Sequence, residues 1–247
     1  MKLTVIGCGD AFGSGGRLQS AYVLEHQGKS VLIDCGVTTL IGLERLKLSF
    51  DQFSSVVITH LHGDHFAGLV WCLMHASFVT HRRTPLAIYG PPGLEERMTA
   101  TIDILYPHTA AKLSKLHVTY HVMNAGHGLD IEGMRVMAYD VRHPSGAPSH
   151  ALRFEGHGKV FAFTGDSEWT DVLISAGHGA DLYLMECYRY EGKPVFHLCW
   201  HTIQSNLPRI EAKRVVLTHM ANDMLARCNE INEPNVEFAT DGAIFHI

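Results

Sequence analysis

Three histidines and an aspartate lie within six positions of one another in the segment THLHGDH at residues 59–65. Imidazole nitrogens and carboxylate oxygens are the ligands that zinc and similar divalent ions prefer in proteins. Four such groups this close together cannot all bind one tetrahedral ion without strain. The segment therefore predicts a metal site and favours two ions over one.

A strand-like run precedes this segment. Residues 54–58 (SSVVI) are typical of a buried strand of a parallel sheet. Loops at the ends of such strands are where α/β folds place binding and catalytic residues. Because the chain has 18 His beside 20 Lys plus Arg, a solvated histidine-rich surface loop is the competing interpretation. The position directly after a strand favours the metal site.

A two-metal site needs further ligands, and three later strand-like segments each end in a suitable residue. Each of these residues lies beside a Gly, Ser, Thr or Pro, which favours a turn from which a side chain can project. A single histidine at a strand end is often only structural, but the three residues together complete a ligand set. They are His143, Asp166 and His219.

Hydrophobic periodicity predicts the elements that hold these ligands in place. Short glycine-bounded strands dominate both halves of the chain, and helices begin between them after polar or glycine-containing turns. Pro208 makes the fourth helix the least regular. The predicted helices cover Asp64 to Arg82, Gly93 to Leu105, Asp171 to Ala176, Thr202 to Ala212 and Asn222 to Cys228.

Two segments of the first half recur in the second half in the same order. The alignment places Asp64 in register with Asp223. Such a repeat predicts two βα halves packed sheet to sheet, with their strand ends meeting at a shared metal cleft. The paired segments are Ala21 to Lys29 with Ala151 to Lys159, and Val56 to His60 with Val215 to His219.

Composition limits the classes of protein that fit the chain. With 247 residues, 46% of them hydrophobic, and no linker-like tract, residues 1–247 are expected to form one domain. The net charge of −5 argues against a strongly basic nucleic-acid surface. Since no segment resembles a membrane span or secretory signal, and the six cysteines form no regular framework, a cytoplasmic protein with free thiols is expected.

The order of these motifs resembles that of the metallo-β-lactamase superfamily, from the first strand to the last helix. The resemblance implies an α/β fold, the four-layer αβ/βα sandwich, and two divalent ions, with zinc first and manganese or iron as alternatives. A water or hydroxide bridging the two ions is the implied nucleophile, and Asp64 is implied to orient it. The implied ligands are His60, His62 and His143 for one ion, Asp64, His65 and His219 for the other, and Asp166 as a bridge.

Asp166 and a later segment indicate which branch of the superfamily the chain resembles. Common dizinc β-lactamases place a cysteine where this chain has Asp166, so lactam hydrolysis is not expected. Glu186 and the segment FHLCWHT at 196–202 resemble the motifs of ribonuclease Z and related small phosphodiesterases. There a glutamate orients a histidine that protonates the leaving group or stabilises its charge. The resemblance assigns these roles to Glu186 and His201, with His197 as the alternative histidine.

The substrate is expected to be a small or cyclic phosphodiester. Many ribonuclease Z enzymes carry a long arm for transfer RNA between the third metal histidine and the bridging aspartate. Here only 23 positions (166 − 143) separate His143 from Asp166, which leaves room for a hairpin alone. Together with the acidic charge balance, this makes transfer RNA the less favoured substrate. The resemblance also implies a homodimer.

Two other functions stay open on the sequence. A thioester or lactone hydrolase would use the same metals beside an apolar acyl pocket, and a non-catalytic metal-binding or RNA-binding protein would keep the ligands without turnover. The glycine-rich loop at residues 7–17 is placed by the resemblance at the border of the site. Its glycines permit close approach to an anion and Arg17 adds positive charge, although a flexible strand connection explains the same glycines.

Overall fold

The computed structural model describes residues 1–247, the side chain of residue 110 excepted. Its helices lie between the strands along the chain, as the sequence predicts. The strands are β1 (Lys2–Gly7), β2 (Ala21–His26), β3 (Lys29–Ile33), β4 (Ser55–Val57), β5 (Leu86–Gly90), β6 (Val118–Val122), β7 (Gly128–Ile131), β8 (Met134–Val141), β9 (Ser149–Gly156), β10 (Lys159–Phe163), β11 (Leu182–Glu186), β12 (Val215–Thr218), β13 (Val236–Phe238) and β14 (Ile244–His246). The helices are α1 (Thr39–Arg45), α2 (Gly63–Phe66), α3 (Gly68–Phe78), α4 (Leu94–Leu105), α5 (Ala110–Leu113), α6 (Val172–Gly177), α7 (Trp200–Ile210) and α8 (Asn222–Ala226).

The strands form two seven-stranded sheets. Their orders are β14-β1-β2-β3-β4-β5-β6 and β13-β12-β11-β10-β9-β8-β7. The central core joins both sheets, and the rings of Tyr22 and Phe163 meet there edge to face at 5.2 Å. A second core lies under α1, α3 and α4 on the outer face of the first sheet, and a third lies under α6, α7 and α8 on the second. The predicted four-layer sandwich of an α/β protein is confirmed.

The two hairpins of the predicted repeat occupy matching places. The antiparallel pairs β2–β3 and β9–β10 are each followed by a parallel strand. However, the spatial counterpart of β4 is β11, because β12 lies one strand further from its hairpin. Asp223, which the sequence aligns with Asp64, is exposed on α8. The repeat therefore holds for the hairpins and not for this pair of residues.

The bounds of all five predicted helices shift by one or more residues, and two of these shifts affect residues near the ligands. The helix predicted for Asp64 to Arg82 is divided into α2 and α3 and ends at Phe78. The break occurs where the amide of Gly68 donates to the carbonyl of Cys35 at 2.9 Å, a contact between the helix and the loop after β3. Helix α7 begins two residues earlier than predicted, so His201 lies in its first turn.

Within the residues that the structure describes, none of the helices has the length and apolar character needed to cross a bilayer. All six cysteines are free thiols, as the sequence predicts. Five of them are buried, so they contribute to the packing of the cores.

Candidate metal centre and acid pair

The predicted metal ligands converge at one edge of the molecule, where the two halves meet. They lie on loops and turns that follow strands of both sheets, which explains how residues far apart in sequence come together. Their positions are His60 and His62 after β4, Asp64 and His65 in α2, His143 after β8, Asp166 after β10 and His219 after β12.

Three histidines form the first ligand group. Ring nitrogens of His60, His62 and His143 lie within 4.8 Å of one another. His62 Nδ1 and His143 Nε2 are only 2.9 Å apart. Burial lowers the pKa of His60 well below its usual value, and burial lowers the pKa of His143 to about 4 against the opposing effect of Asp166. Neutral imidazoles with convergent lone pairs are what a metal ion requires.

The second group contains Asp64, His65, Asp166 and His219, whose ligand atoms also lie within 4.8 Å of one another. Asp166 Oδ2 is 3.4 Å from His65 Nε2 and 3.3 Å from His219 Nε2. The same oxygen is 3.9 Å from the Nε2 atoms of His60 and His143, which belong to the first group. Asp166 is therefore placed to bridge the two groups.

The electrostatics of the second group favour a cation. Burial disfavours the charged form of His65, but the surrounding carboxylates, Asp166 foremost, outweigh burial and raise its pKa well above its usual value. Burial likewise disfavours ionised Asp166, yet the neighbouring His219 and His65 hold its pKa well below the usual value. Positive charge is thus stabilised at this place, and a bound divalent ion would supply it.

Unpartnered buried atoms provide an independent test of whether a metal fits. Most buried polar atoms in proteins have a hydrogen-bond partner. Among the described residues, four atoms of the ligand cluster are buried without one: His60 Nε2, His65 Nε2, Asp166 Oδ1 and His219 Nδ1. Their unmet bonding capacity, together with five imidazoles and two carboxylates, fits a pair of divalent metal ions.

Asp34 is a functional residue that the sequence analysis missed. Its buried carboxylate accepts hydrogen bonds from His65 Nδ1 at 2.7 Å and from the Thr59 hydroxyl at 2.9 Å. The Thr59 oxygen in turn accepts from His60 Nδ1 at 3.0 Å. Because Nδ1 of both rings is held from outside, Nε2 of both rings is directed into the ligand cluster. Asp34 directly follows β3, and this strand-end position was the signal that the sequence offered.

We expect Asp34→Ala to weaken metal binding by about 10- to 100-fold, the usual effect of losing an outer partner of a histidine ligand. Zinc affinity is measured by competition with a chromogenic chelator, and the control is Asp103→Ala, an exposed aspartate on α4. Equal affinities in the two variants would contradict an orienting role for Asp34.

His197 lies beside Glu186, and His201 does not. His197 Nδ1 donates to Glu186 Oε2 at 3.0 Å, and its ring lies 5.7 Å from the ring of His219. His201 is exposed and packs its ring edge-on against Tyr190. The physical reason is that Trp200 is buried in the core, and the next residue of a helix is turned by about 100°. The structure thus brings the alternative histidine, His197, to Glu186 and does not bring His201 there.

Hydrogen bonds connect Glu186 and His197, the candidate acid pair, to the predicted metal ligands. Burial lowers the pKa of His197, but the Glu186 carboxylate outweighs burial and raises it to about 9. The second Glu186 oxygen accepts from the amide of Ser167, directly after Asp166. On the other side, His143 Nδ1 donates to the carbonyl of Phe196 at 2.8 Å. Hydrogen bonds therefore connect Glu186 to the backbone next to Asp166, and the backbone next to His197 to His143.

Arg97 fixes two ligand loops to each other. Its guanidinium on α4 donates to the carbonyl of Leu61 at 3.0 Å and to that of Ser145 at 2.7 Å. These carbonyls adjoin the segments of His62 and His143. The contact explains why two histidines 81 positions apart have nitrogens close enough for one ion.

Comparisons with known proteins place this geometry in a family. A family model described as "Anti-Pycsar protein Apyc1" matches residues 1–245. A curated ribonuclease Z of Bacillus cereus (strain G9842) is 23% identical over 301 residues, covering 98% of this chain and 97% of that protein.

Two solved structures have a similar fold over nearly their whole length. The short form of human tRNase Z is 25% identical, with a TM-score of 0.80 over 100% of this chain and 99% of that one. The metallo-β-lactamase fold protein YhfI from Bacillus subtilis is 22% identical, with a TM-score of 0.82 over 99% of this chain and 98% of that one. The expected metallo-β-lactamase fold is confirmed.

Proposed function

The chain belongs to the anti-Pycsar protein Apyc1 family, and we propose that within it the protein is a zinc-dependent phosphodiesterase acting on small substrates. Metal-dependent hydrolysis of phosphodiester bonds is the activity that agrees with its relatives named ribonuclease Z. One observation carries the proposal: the seven-residue ligand cluster and the acid pair Glu186–His197 form a single hydrogen-bonded site.

We propose that the two ligand groups each hold one zinc ion and that Asp166 reaches both. When bound, the ions neutralise charge on the phosphate and lower the pKa of an attacking water molecule. Nitrogen and oxygen donors of this kind suit zinc, and manganese or iron are the alternatives. Metal analysis of the purified protein tests the identity.

Two side chains have the remaining roles: Asp64 orients the water, and His197 protonates the leaving oxygen. Asp64 Oδ2 lies 3.4 Å from His219 Nε2 and 3.5 Å from His65 Nε2, so its carboxylate lies among the ligands, where we propose that it orients the water. His197 has its Nδ1 proton committed to Glu186, which leaves Nε2–H for the leaving oxygen. A positioned general acid of this kind contributes about 10²- to 10⁴-fold to the rate.

A small substrate is supported by what the chain lacks relative to its relatives. The alignment with the Bacillus cereus ribonuclease Z spans 301 positions, so at least 54 of them (301 − 247) have no residue of this chain. The interval between His143 and Asp166 holds only the β9–β10 hairpin with its tight turn at 157–158. The net charge of −5 also disfavours a long polyanion.

A substrate panel on the metal-loaded protein tests the proposal. We expect faster hydrolysis of 3′,5′-cyclic nucleoside monophosphates and of bis(p-nitrophenyl) phosphate than of a transfer RNA precursor, a thioester or a lactone. Cleavage of the transfer RNA trailer without turnover of the cyclic substrates would overturn the small-substrate proposal. Turnover of the thioester or lactone alone would overturn the phosphodiesterase.

A further inference from the structure

The ring of Tyr188 lies flat against the ring of His197, the candidate acid. Their centroids are 4.8 Å apart and their planes are inclined by 29°. The centroid of the Tyr188 ring is also 6.3 Å from that of His219, a candidate metal ligand. Tyr188 is only partly buried and lies two positions after Glu186. The roles proposed above for the ligands and the acid pair leave this contact without a function.

A single hydrogen bond does not fix the orientation of the His197 ring. Its Nδ1 atom donates to Glu186 Oε2 at 3.0 Å. Rotation of the ring about this bond changes the direction of Nε2–H, because Nε2 lies off the line that joins the two bonded atoms. The side chain of His197 is 21% exposed, so packing does not enclose it on every side. A flat ring against one face of the imidazole restricts this rotation, since stacked aromatic rings prefer a defined mutual geometry.

The backbone holds Tyr188 in register with both histidines that its ring contacts. Its amide donates to the carbonyl of Leu198, the residue after His197, at 3.0 Å. Its carbonyl accepts from the amide of Ala221, two residues after His219, at 3.0 Å. These two bonds join the segments that follow β11 and β12 to the segment that precedes α7. The tyrosine ring therefore has a fixed support from which to orient the imidazole.

A stacked tyrosine–histidine pair does not by itself indicate a function. Tyr89 and His121 form such a pair on the neighbouring strands β5 and β6, with centroids also 4.8 Å apart and planes inclined by 21°. His121 is exposed and belongs to none of the candidate ligand groups that the described residues form. The partner of Tyr188 differs, because ligand atoms of His197 and Asp166 lie within 4.8 Å of each other. The Tyr188 ring therefore contacts a histidine at the place of the proposed chemistry.

We propose that Tyr188 is a positioning residue for the leaving-group step: its ring sets the plane of His197, so that Nε2–H is directed at the leaving oxygen. Tyr188 acts through His197 rather than on the substrate. This inference rests on the proposed phosphodiesterase function. It adds to the contact with Glu186, because the carboxylate determines where Nδ1 lies and the tyrosine determines how the ring is turned about that bond.

The test uses two substrates that differ in their need for a proton. With a 3′,5′-cyclic nucleoside monophosphate, whose leaving alkoxide must be protonated, Tyr188→Leu is expected to lower kcat by about 10- to 100-fold, the cost of a misplaced catalytic group, while KM and metal content are retained. With bis(p-nitrophenyl) phosphate, whose leaving group departs without a proton, kcat is expected to stay within about twofold of wild type. Tyr188→Phe keeps the flat face and should restore the wild-type kcat. Tyr89→Leu, which removes the other stacked tyrosine, is the matched control and should leave both activities unchanged.

A double-mutant comparison separates positioning from a general loss of structure. In a His197→Ala background, Tyr188→Leu is expected to cause no further fall in kcat, because the histidine through which the tyrosine acts has been removed. If Tyr188 instead supports the ligand cluster through its contact with His219, metal content and both activities should fall in either background. That result would overturn the positioning role, as would an equal kcat of Tyr188→Leu and wild type with the cyclic nucleotide.

The wild-type protein distinguishes this failure from a failure of the proposed function. Inactivity of the metal-loaded wild type toward both phosphodiesters would overturn the phosphodiesterase, and the positioning role with it. An active wild type whose kcat does not respond to Tyr188→Leu would overturn the positioning role alone. Should Tyr188→Leu fail to fold, Tyr188→Met is the second variant, because methionine fills a similar volume without a flat face, and the same losses are expected of it.

Discussion

Asp166→Ala is expected to reduce phosphodiester hydrolysis to background and to lower the metal content from two ions per chain. The reason is its central position: one carboxylate oxygen lies 3.3–3.9 Å from ring nitrogens of both ligand groups. The loss should exceed the roughly 10- to 100-fold effect of removing a partner outside the ligand shell. Metal content is measured by elemental analysis after dialysis, and activity is measured over a series of zinc concentrations.

Asp171→Ala is the matched control, because Asp171 is exposed and pairs only with Arg209 and Trp169 among the described residues. The control should keep both ions and full activity. Asp166→Ala with two bound ions per chain would contradict the bridging position. A fully active Asp166→Ala would remove the basis for the two-metal site altogether.

The convergence of the seven candidate ligands could be predicted from sequence because the pattern that indicates it is local. Four ligands share the run at residues 59–65, and the others each follow a strand-like segment and adjoin a turn residue. Strand ends that share an edge place such residues together, so convergence follows from the order of elements alone. The repeated hairpin, in the same way, predicted two halves packed sheet to sheet.

The histidine that lies beside Glu186 could not be predicted, since its position depends on where the following helix begins. His197 and His201 are four positions apart, and the family motif accommodates either. The structure begins α7 at Trp200, whose ring is buried, and this turns His201 to solvent. The sequence predicted that this helix begins at Thr202, two residues after its observed start. An error of one or two residues is usual for a helix end.

Asp34 could not be found by strand-end reasoning alone, since an aspartate after a strand more often caps a turn. Its role depends on tertiary contacts with His65 and, through Thr59, with His60. The break between α2 and α3 has the same origin, because Gly68 bonds to the loop that carries Asp34. Contacts between distant segments, rather than local pattern, determine both features.

His197→Ala is expected to lower kcat by about 10²- to 10⁴-fold while metal content is retained. Glu186 raises the pKa of His197 to about 9, so the ring is protonated at neutral pH and can donate to the leaving oxygen. Wild-type activity should therefore fall as the pH rises through this pKa, and the alkaline limb should be absent from His197→Ala. His201→Ala, an exposed histidine in the first turn of α7, should retain near wild-type kcat.

The leaving group separates proton donation from a structural role of His197. p-Nitrophenolate departs without protonation, so bis(p-nitrophenyl) phosphate should be hydrolysed by His197→Ala with a much smaller loss than a cyclic nucleotide, whose leaving alkoxide needs a proton. A variant that is merely misfolded would lose both activities equally. Glu186→Gln should resemble His197→Ala but more weakly, because the amide still accepts from Nδ1 and no longer stabilises the imidazolium. Equal losses of kcat in His201→Ala and His197→Ala would show that contact with Glu186 does not identify the general acid.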